Sequence, residues 1–269
     1  MFKRIVVVAG APRSGTSWLG QILESSPSAV LRFQPLFAYA FKDVVNADST
    51  REEYARFFED IYASNDAFLL QTMRKEESAH ATFEEATDPE YLAIKMVRYH
   101  YLLRRMLRDF ENLKVVGIVR HPCGVINSWL RAPREFPKGA DQRKEWRFGA
   151  YKNQGREEEF FGFYKWKEVA HLYLDLQEQY PDRMRIVQYE GLVYFPVRET
   201  LRFFKFVGLP FTQATSAFLE TCHATHQEGT YAVFKDKSVA ERWRSQLDPY
   251  IAREIVQDLV GTRLARFLV

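Results

Sequence analysis

Three observations predict an α/β fold in which a parallel sheet is flanked by helices on both faces. Apolar runs of strand length recur at 4–9 (RIVVVA), 92–97 (LAIKMV), 114–119 (KVVGIV) and 184–188 (MRIVQ). Segments of helical periodicity separate them, at about 16–25, 50–63, 100–110, 122–131, 159–179, 197–206 and 248–266. Strands that alternate with helices in this way pair in parallel beneath two helical layers. The third observation is local: in "VVVAGAPRSGTSWLGQIL", residues 6–23, the first strand runs through a glycine-bounded turn into an amphipathic helix.

That first strand is broken by Gly10 and Pro12, so its length suits a buried strand and not the apolar core of a secretory leader. In the turn, Gly10 and Gly15 allow tight folding and close backbone approach. Free N–H groups from Ser14 to Ser17, at the start of the next helix, attract an anion. Trp18, Leu19, Ile22 and Leu23 then make the stripe that packs this helix on the sheet. The G-x-x-x-x-G spacing of a nucleotide triphosphatase loop is kept, but Thr16 stands where lysine would follow the second glycine, and the positive charge moves to Arg13.

The strand 114–119 ends in Arg120, not in the acidic residue that would hold magnesium. An arginine there repels a metal and attracts a second anion. Pro122 suits the first turn of the following helix, and Ser128, two turns along, can share a phosphate with Arg120. Two anion sites in one sheet suit a nucleotide phosphorylated at two separate positions.

These residues resemble the sulfotransferase family, whose donor is 3'-phosphoadenosine 5'-phosphosulfate (PAPS). "PRSGTSW" resembles the family's 5'-phosphosulfate loop, which implies donor contacts from Arg13, Ser14, Gly15, Thr16, Ser17 and Trp18; Arg120 with Ser128 resembles its 3'-phosphate site. "VQYEGL", 187–192, resembles the strand-end segment that places Tyr189 near the adenine. "DKSVAERWR", 236–244, resembles the C-terminal basic loop through Lys237 and Trp243, with Asp236 and Ser238 departing from it. The implied fold is the P-loop-like sulfotransferase fold, and the implied activity is metal-free sulfuryl transfer. The arginine-led loop and "QPLF" lie closer to the carbohydrate-type branch.

For the chemistry, the resemblance assigns Lys95, inside "LAIKMV", to the leaving phosphate. A general base is expected two residues later, where Val97 stands, so His100 is the nearest titratable substitute. Gln34 replaces a family acid and can only orient an acceptor, while His121 adjoins the 3'-phosphate site. The acceptor is expected to be a small molecule or carbohydrate. A P-loop kinase and a non-catalytic nucleotide-binding module are the competing readings.

Composition supports one ordered domain over 1–269: 46% of residues are hydrophobic, 15% aromatic and 27% charged. The net charge of +3 is too mild for a nucleic-acid-coating surface. No apolar run approaches the roughly 18 residues of a membrane span, and with two cysteines, Cys123 and Cys222, a cytoplasmic setting is expected. Cys222, His223 and His226 lack a fourth ligand, so no metal site is assigned. The segment 132–155, rich in Pro, Gly, charge and aromatics, is expected to be a lid or an acceptor-side loop.

Overall fold

The computed structural model describes residues 2–73, 81–83, 89–224 and 237–268. Strands β1 (Arg4–Ala9), β2 (Ala29–Phe33), β3 (Tyr91–Met96), β4 (Leu113–Val119) and β5 (Met184–Gln188) pair in parallel in the order β2-β3-β1-β4-β5. Four of them lie within a residue of the apolar runs. The edge strand β2, "AVLRF", escapes sequence reading because Arg32 interrupts its apolar pattern. That side chain is nevertheless buried, and its Nε and Nη2 donate to the carbonyls of Ile61 and Tyr62 at 2.8 and 2.7 Å.

Alternate strand residues feed two cores. Val6, Val8, Ala93 and Val116 face helices Thr16–Glu24, Pro196–Val207 and Gln213–Ala224. Val7, Ile94 and Val115 face helices Arg51–Ala63, Leu102–Asp109, Pro122–Leu130, Phe163–Gln179 and Pro249–Leu259. The expected α/β layering is therefore present. Helix 248–266 proves to be shorter: it stops at Leu259, Gly261 turns left-handed at φ +80°, and a separate turn covers Arg263–Phe267.

The connection leaves β1 for the far edge strand β2, returns to β3, then crosses to β4 on the other side of β1. Ligands in such sheets bind at the carboxyl ends where the winding reverses. Here that point lies between Ala9, Met96 and Val119, and each of these strand ends runs directly into a residue of interest.

The segment after Leu130 is more structured than expected of a loop. It contains helix Gln142–Phe148, opened by the Asp141 side chain, with Trp146 buried. Arg143 and Arg147 tie it to Asp248 and Glu254 at 2.6 and 3.0 Å, and the Asn153 side chain bonds the backbone of Phe148 and Phe161.

Candidate functional site

A cleft of about 390 Å³ opens over the carboxyl ends of β2, β3, β1 and β4. The loop after β1 forms one wall. Arg13 takes φ +73° and Gly15 φ +98°, departures two residues apart that curl the backbone before helix Thr16–Glu24. A Cβ on Gly15 would lie 2.5 Å from the Tyr189 ring, so glycine is required for space as well as for conformation. No side chain caps the helix start, which leaves its first-turn amides as the anion-directed donors. The Ser14 amide is used differently from expectation: it closes the turn by donating to the Ala11 carbonyl at 3.1 Å, and its hydroxyl is buried without a partner among the described residues.

Arg120, immediately beyond β4, is 7% exposed and reaches across to the same loop. Its Nη1 donates to the Arg13 carbonyl at 3.3 Å and its Nη2 to the Val239 carbonyl at 2.9 Å, while its guanidinium lies 4.6 Å from the centre of the Tyr189 ring. Arg13 Nε in turn donates to Ser128 Oγ at 3.1 Å, and its Nη1 meets Glu135 Oε1 at 3.5 Å. Arg13, Arg120, Ser128 and Tyr189 thus share one cleft, together with Gly15, Thr16, Ser17 and Trp18.

Two neighbours fix the end of β4. Glu190 accepts from the His121 amide at 3.0 Å, and burial raises the pKa of this carboxyl. The His121 ring stacks on Trp243 at 4.5 Å and accepts from the Cys123 amide through Nδ1; burial pulls its pKa down to about 4. His121 is therefore a neutral brace for the strand end.

Lys95 is 4% exposed, lines the cleft from the end of β3, and holds its ammonium 3.8 Å over the centre of the Phe33 ring. His100 does not join it. That side chain is 1% exposed, bonded through Nδ1 to the Tyr173 hydroxyl at 3.1 Å and packed edge-on against Phe160, outside the residues lining the cleft. The chain turns back into the core at Tyr99, φ +57°, which carries His100 away from the strand end; desolvation lowers its pKa to about 3. Lys237 is also apart from the cleft, but exposed: its turn reaches Arg120 through the Val239 carbonyl instead. Asp236 and His226, and the side chain of His223, lie outside the described residues.

Sequence reasoning named the segment 132–155 and Phe37 for the acceptor side, but not the individual charges at the opposite end of the cleft. Arg98, Arg134, Glu135 and Lys152 line it, as do Phe37 and Phe68. Arg98 pairs with buried Glu159 at 3.2 Å and lies 3.8 Å over the centre of the Phe37 ring. The segment 132–155 contains three of these side chains, and its charge density was the available signal. Of the aromatics near it, Trp146 is core and Tyr151 is exposed.

Comparison with known proteins agrees with this geometry. A family model described as "Sulfotransferase family" matches residues 5–213. Carbohydrate sulfotransferase 3 of Tetronarce californica is 28% identical over an alignment of 181 residues that covers 62% of this chain and 39% of that protein; the chain spans about two fifths of that relative's length. Among solved structures, the sulfotransferase domain from the curacin biosynthetic pathway superposes with a TM-score of 0.56 at 20% identity, covering 95% of this chain and 97% of that one. A mouse sulfotransferase complexed with PAP superposes with a TM-score of 0.57 at 13% identity, covering 100% of this chain and 89% of that one. With its fold shared by these structures and 5–213 matched by the family model, the chain belongs to the sulfotransferase family.

Proposed function

We propose that this enzyme moves a sulfuryl group from PAPS to a hydroxyl or amine of a small-molecule or carbohydrate acceptor, with no divalent ion. The observation that carries this reading is the bond from Arg120 Nη1 to the Arg13 carbonyl. It brings the cationic ends of β1 and β4 into one cleft, as a ligand with two separated phosphates requires. The buried residues fit that ligand. Arg120 Nε and Ser14 Oγ are desolvated without a partner among the described residues, a cost that an arriving phosphate oxygen offsets.

Bound PAPS supplies an activated sulfuryl group whose departure leaves negative charge on the 5'-phosphate oxygen. The first-turn amides of helix Thr16–Glu24, Arg13 and Lys95 stabilise that charge, and Arg120 with Ser128 holds the 3' end. Tyr189 lines the wall beside Arg120, where an adenine would lie. As the acceptor oxygen forms its bond to sulfur and the bond from sulfur to the bridging oxygen breaks, one proton must leave the acceptor. Val97 cannot take it and His100 is buried in the core. Glu135 is the one carboxylate among the described residues of the cleft lining, and we assign it the proton. The likeness to a carbohydrate sulfotransferase supports a sugar acceptor.

Calorimetry with adenosine 3',5'-bisphosphate (PAP) in the presence of a chelator tests the donor site. Tight binding is expected, and strict dependence on magnesium or preference for ATP would point to a kinase instead. Transfer of labelled sulfate from PAPS then separates an enzyme from a nucleotide-binding module.

A further inference from the structure

The cleft is lined by six cationic side chains, Arg13, Lys95, Arg98, Arg120, Arg134 and Lys152, against the single carboxylate of Glu135 among its described lining residues. They divide between two ends. Arg120 belongs to the cluster with Gly15, Tyr189 and Val239 over β4. Arg98 belongs to a second cluster, with Phe37, Glu159 and Lys152, beyond the end of β3. Strand β1 lies between, so the two clusters start from strands about 10 Å apart.

Pairing in the second cluster is shared and leaves donors unmet. Glu159 is shared by Arg98 at 3.2 Å and Lys152 at 3.9 Å, two cations on one carboxylate. Arg98 Nε and Nη1 are shielded from water and bond to nothing among the described residues. Burial pulls the pKa of this guanidinium down, against the opposing pull of Glu159 and then of Tyr99, Glu135 and Glu158. Leaving buried guanidinium donors unmet costs free energy that an anion arriving from the cleft would offset. Phe37, a half-exposed ring at the end of a three-residue turn, lies over this guanidinium. Phe33 and Phe37 each pack against Phe68, making an apolar wall beside the charges.

We infer that this end of the cleft is an anion subsite: the acceptor carries a carboxylate, held by Arg98 and Lys152, on an apolar or sugar body that lies against Phe33, Phe37 and Phe68. The inference rests on the sulfuryl-transfer reading for the word acceptor alone; the subsite is a property of the protein. The carboxylate can belong to a hydroxylated fatty acid or to a uronic-acid sugar, and the experiment distinguishes them.

With the protein saturated by PAP, calorimetry compares each acid with its methyl ester: a hydroxy fatty acid pair and a glucuronic-acid disaccharide pair. At least one acid should bind about tenfold or more tightly than its ester, the preference of a charge-assisted site. Lys152→Gln and Arg98→Gln should erase that preference while PAP binds as before. Should Arg98→Gln fail to fold because Glu159 is left unpaired, Lys152→Gln, at a partly exposed position, carries the test. Equal affinity of acid and ester in both pairs, or no acid binding at all, overturns the subsite. Repeating the titration without PAP keeps the two readings apart: acid preference in a protein that refuses PAP supports the subsite and removes the donor site.

Discussion

The two ends of the cleft present positive charge by different means. At the β4 end the backbone does most of the holding: a left-handed loop, a helix start, and an arginine whose Nη1 and Nη2 donate to the carbonyls of residues 13 and 239. At the β3 end the holders are long side chains from the segments after Met96 and Leu130, set around the buried carboxylate of Glu159. The first arrangement can bind only a ligand that matches a fixed set of amides, as a nucleotide common to many enzymes would. The second can change by substitution without disturbing a strand, as an acceptor site must if related enzymes are to serve different acceptors.

The largest expected effect falls where the two ends meet. Glu135 touches Arg13 on one side and faces the cleft on the other. Glu135→Gln keeps the shape and removes the proton acceptor, so kcat should drop by about 10²–10⁴-fold, while PAP binds equally well or more tightly once Arg13 is released. A loss of PAP affinity that tracks the loss of rate would instead assign Glu135 to the donor end. Next is Gly15→Ala. A side chain at φ +98° costs about 1–2 kcal/mol, and displacing the packed Tyr189 ring adds about 1–3 kcal/mol. Melting temperature and PAP affinity should fall together, because the strain and the site occupy the same loop.

This division also explains what the sequence disclosed. Four strands and the glycine-bounded turn were legible because backbone geometry demands particular residues at particular spacings: apolar runs, a glycine at positive φ, a proline at the first helical turn. Arg98, Glu135 and Lys152 were not, since a charged residue in a connecting segment has no period and acquires a role only from what the fold places beside it. Lys237 shows the same limit from the other side. Its motif was recognised, yet the turn contributes the Val239 carbonyl in its place. β2 was hidden by one buried arginine whose carbonyl partners come from a helix end thirty residues on.

Arg120→Ala is expected to have a smaller effect confined to the β4 end. Removing a charge-assisted contact should weaken PAP by about 1.5–3 kcal/mol, with acceptor binding unchanged. The salt dependence of PAP affinity should fall as well. Unchanged PAP affinity would take Arg120 out of the site and leave the proposed pairing of β1 and β4 without its second half.

The smallest effect on catalysis concerns His100, which the sequence placed at the β3 end and the fold buries beneath it. Desolvation lowers its pKa from 6.5 to about 3, and His121 similarly to about 4. Both rings are neutral in the folded protein, whereas the unfolded chain binds protons below about 6.5. Their contribution to stability is therefore complete above that pH and is lost as pH falls toward the folded values. Each ring supplies a slope of up to about 1.4 kcal/mol per pH unit. His100→Gln preserves a partner for the Tyr173 hydroxyl and should remove one of the two slopes between pH 6.5 and 4, read from denaturant unfolding. At pH 8 its kcat should match that of the parent protein. A hundredfold loss of kcat there, with stability intact, would return the proton to His100 and require the chain after β3 to open during turnover.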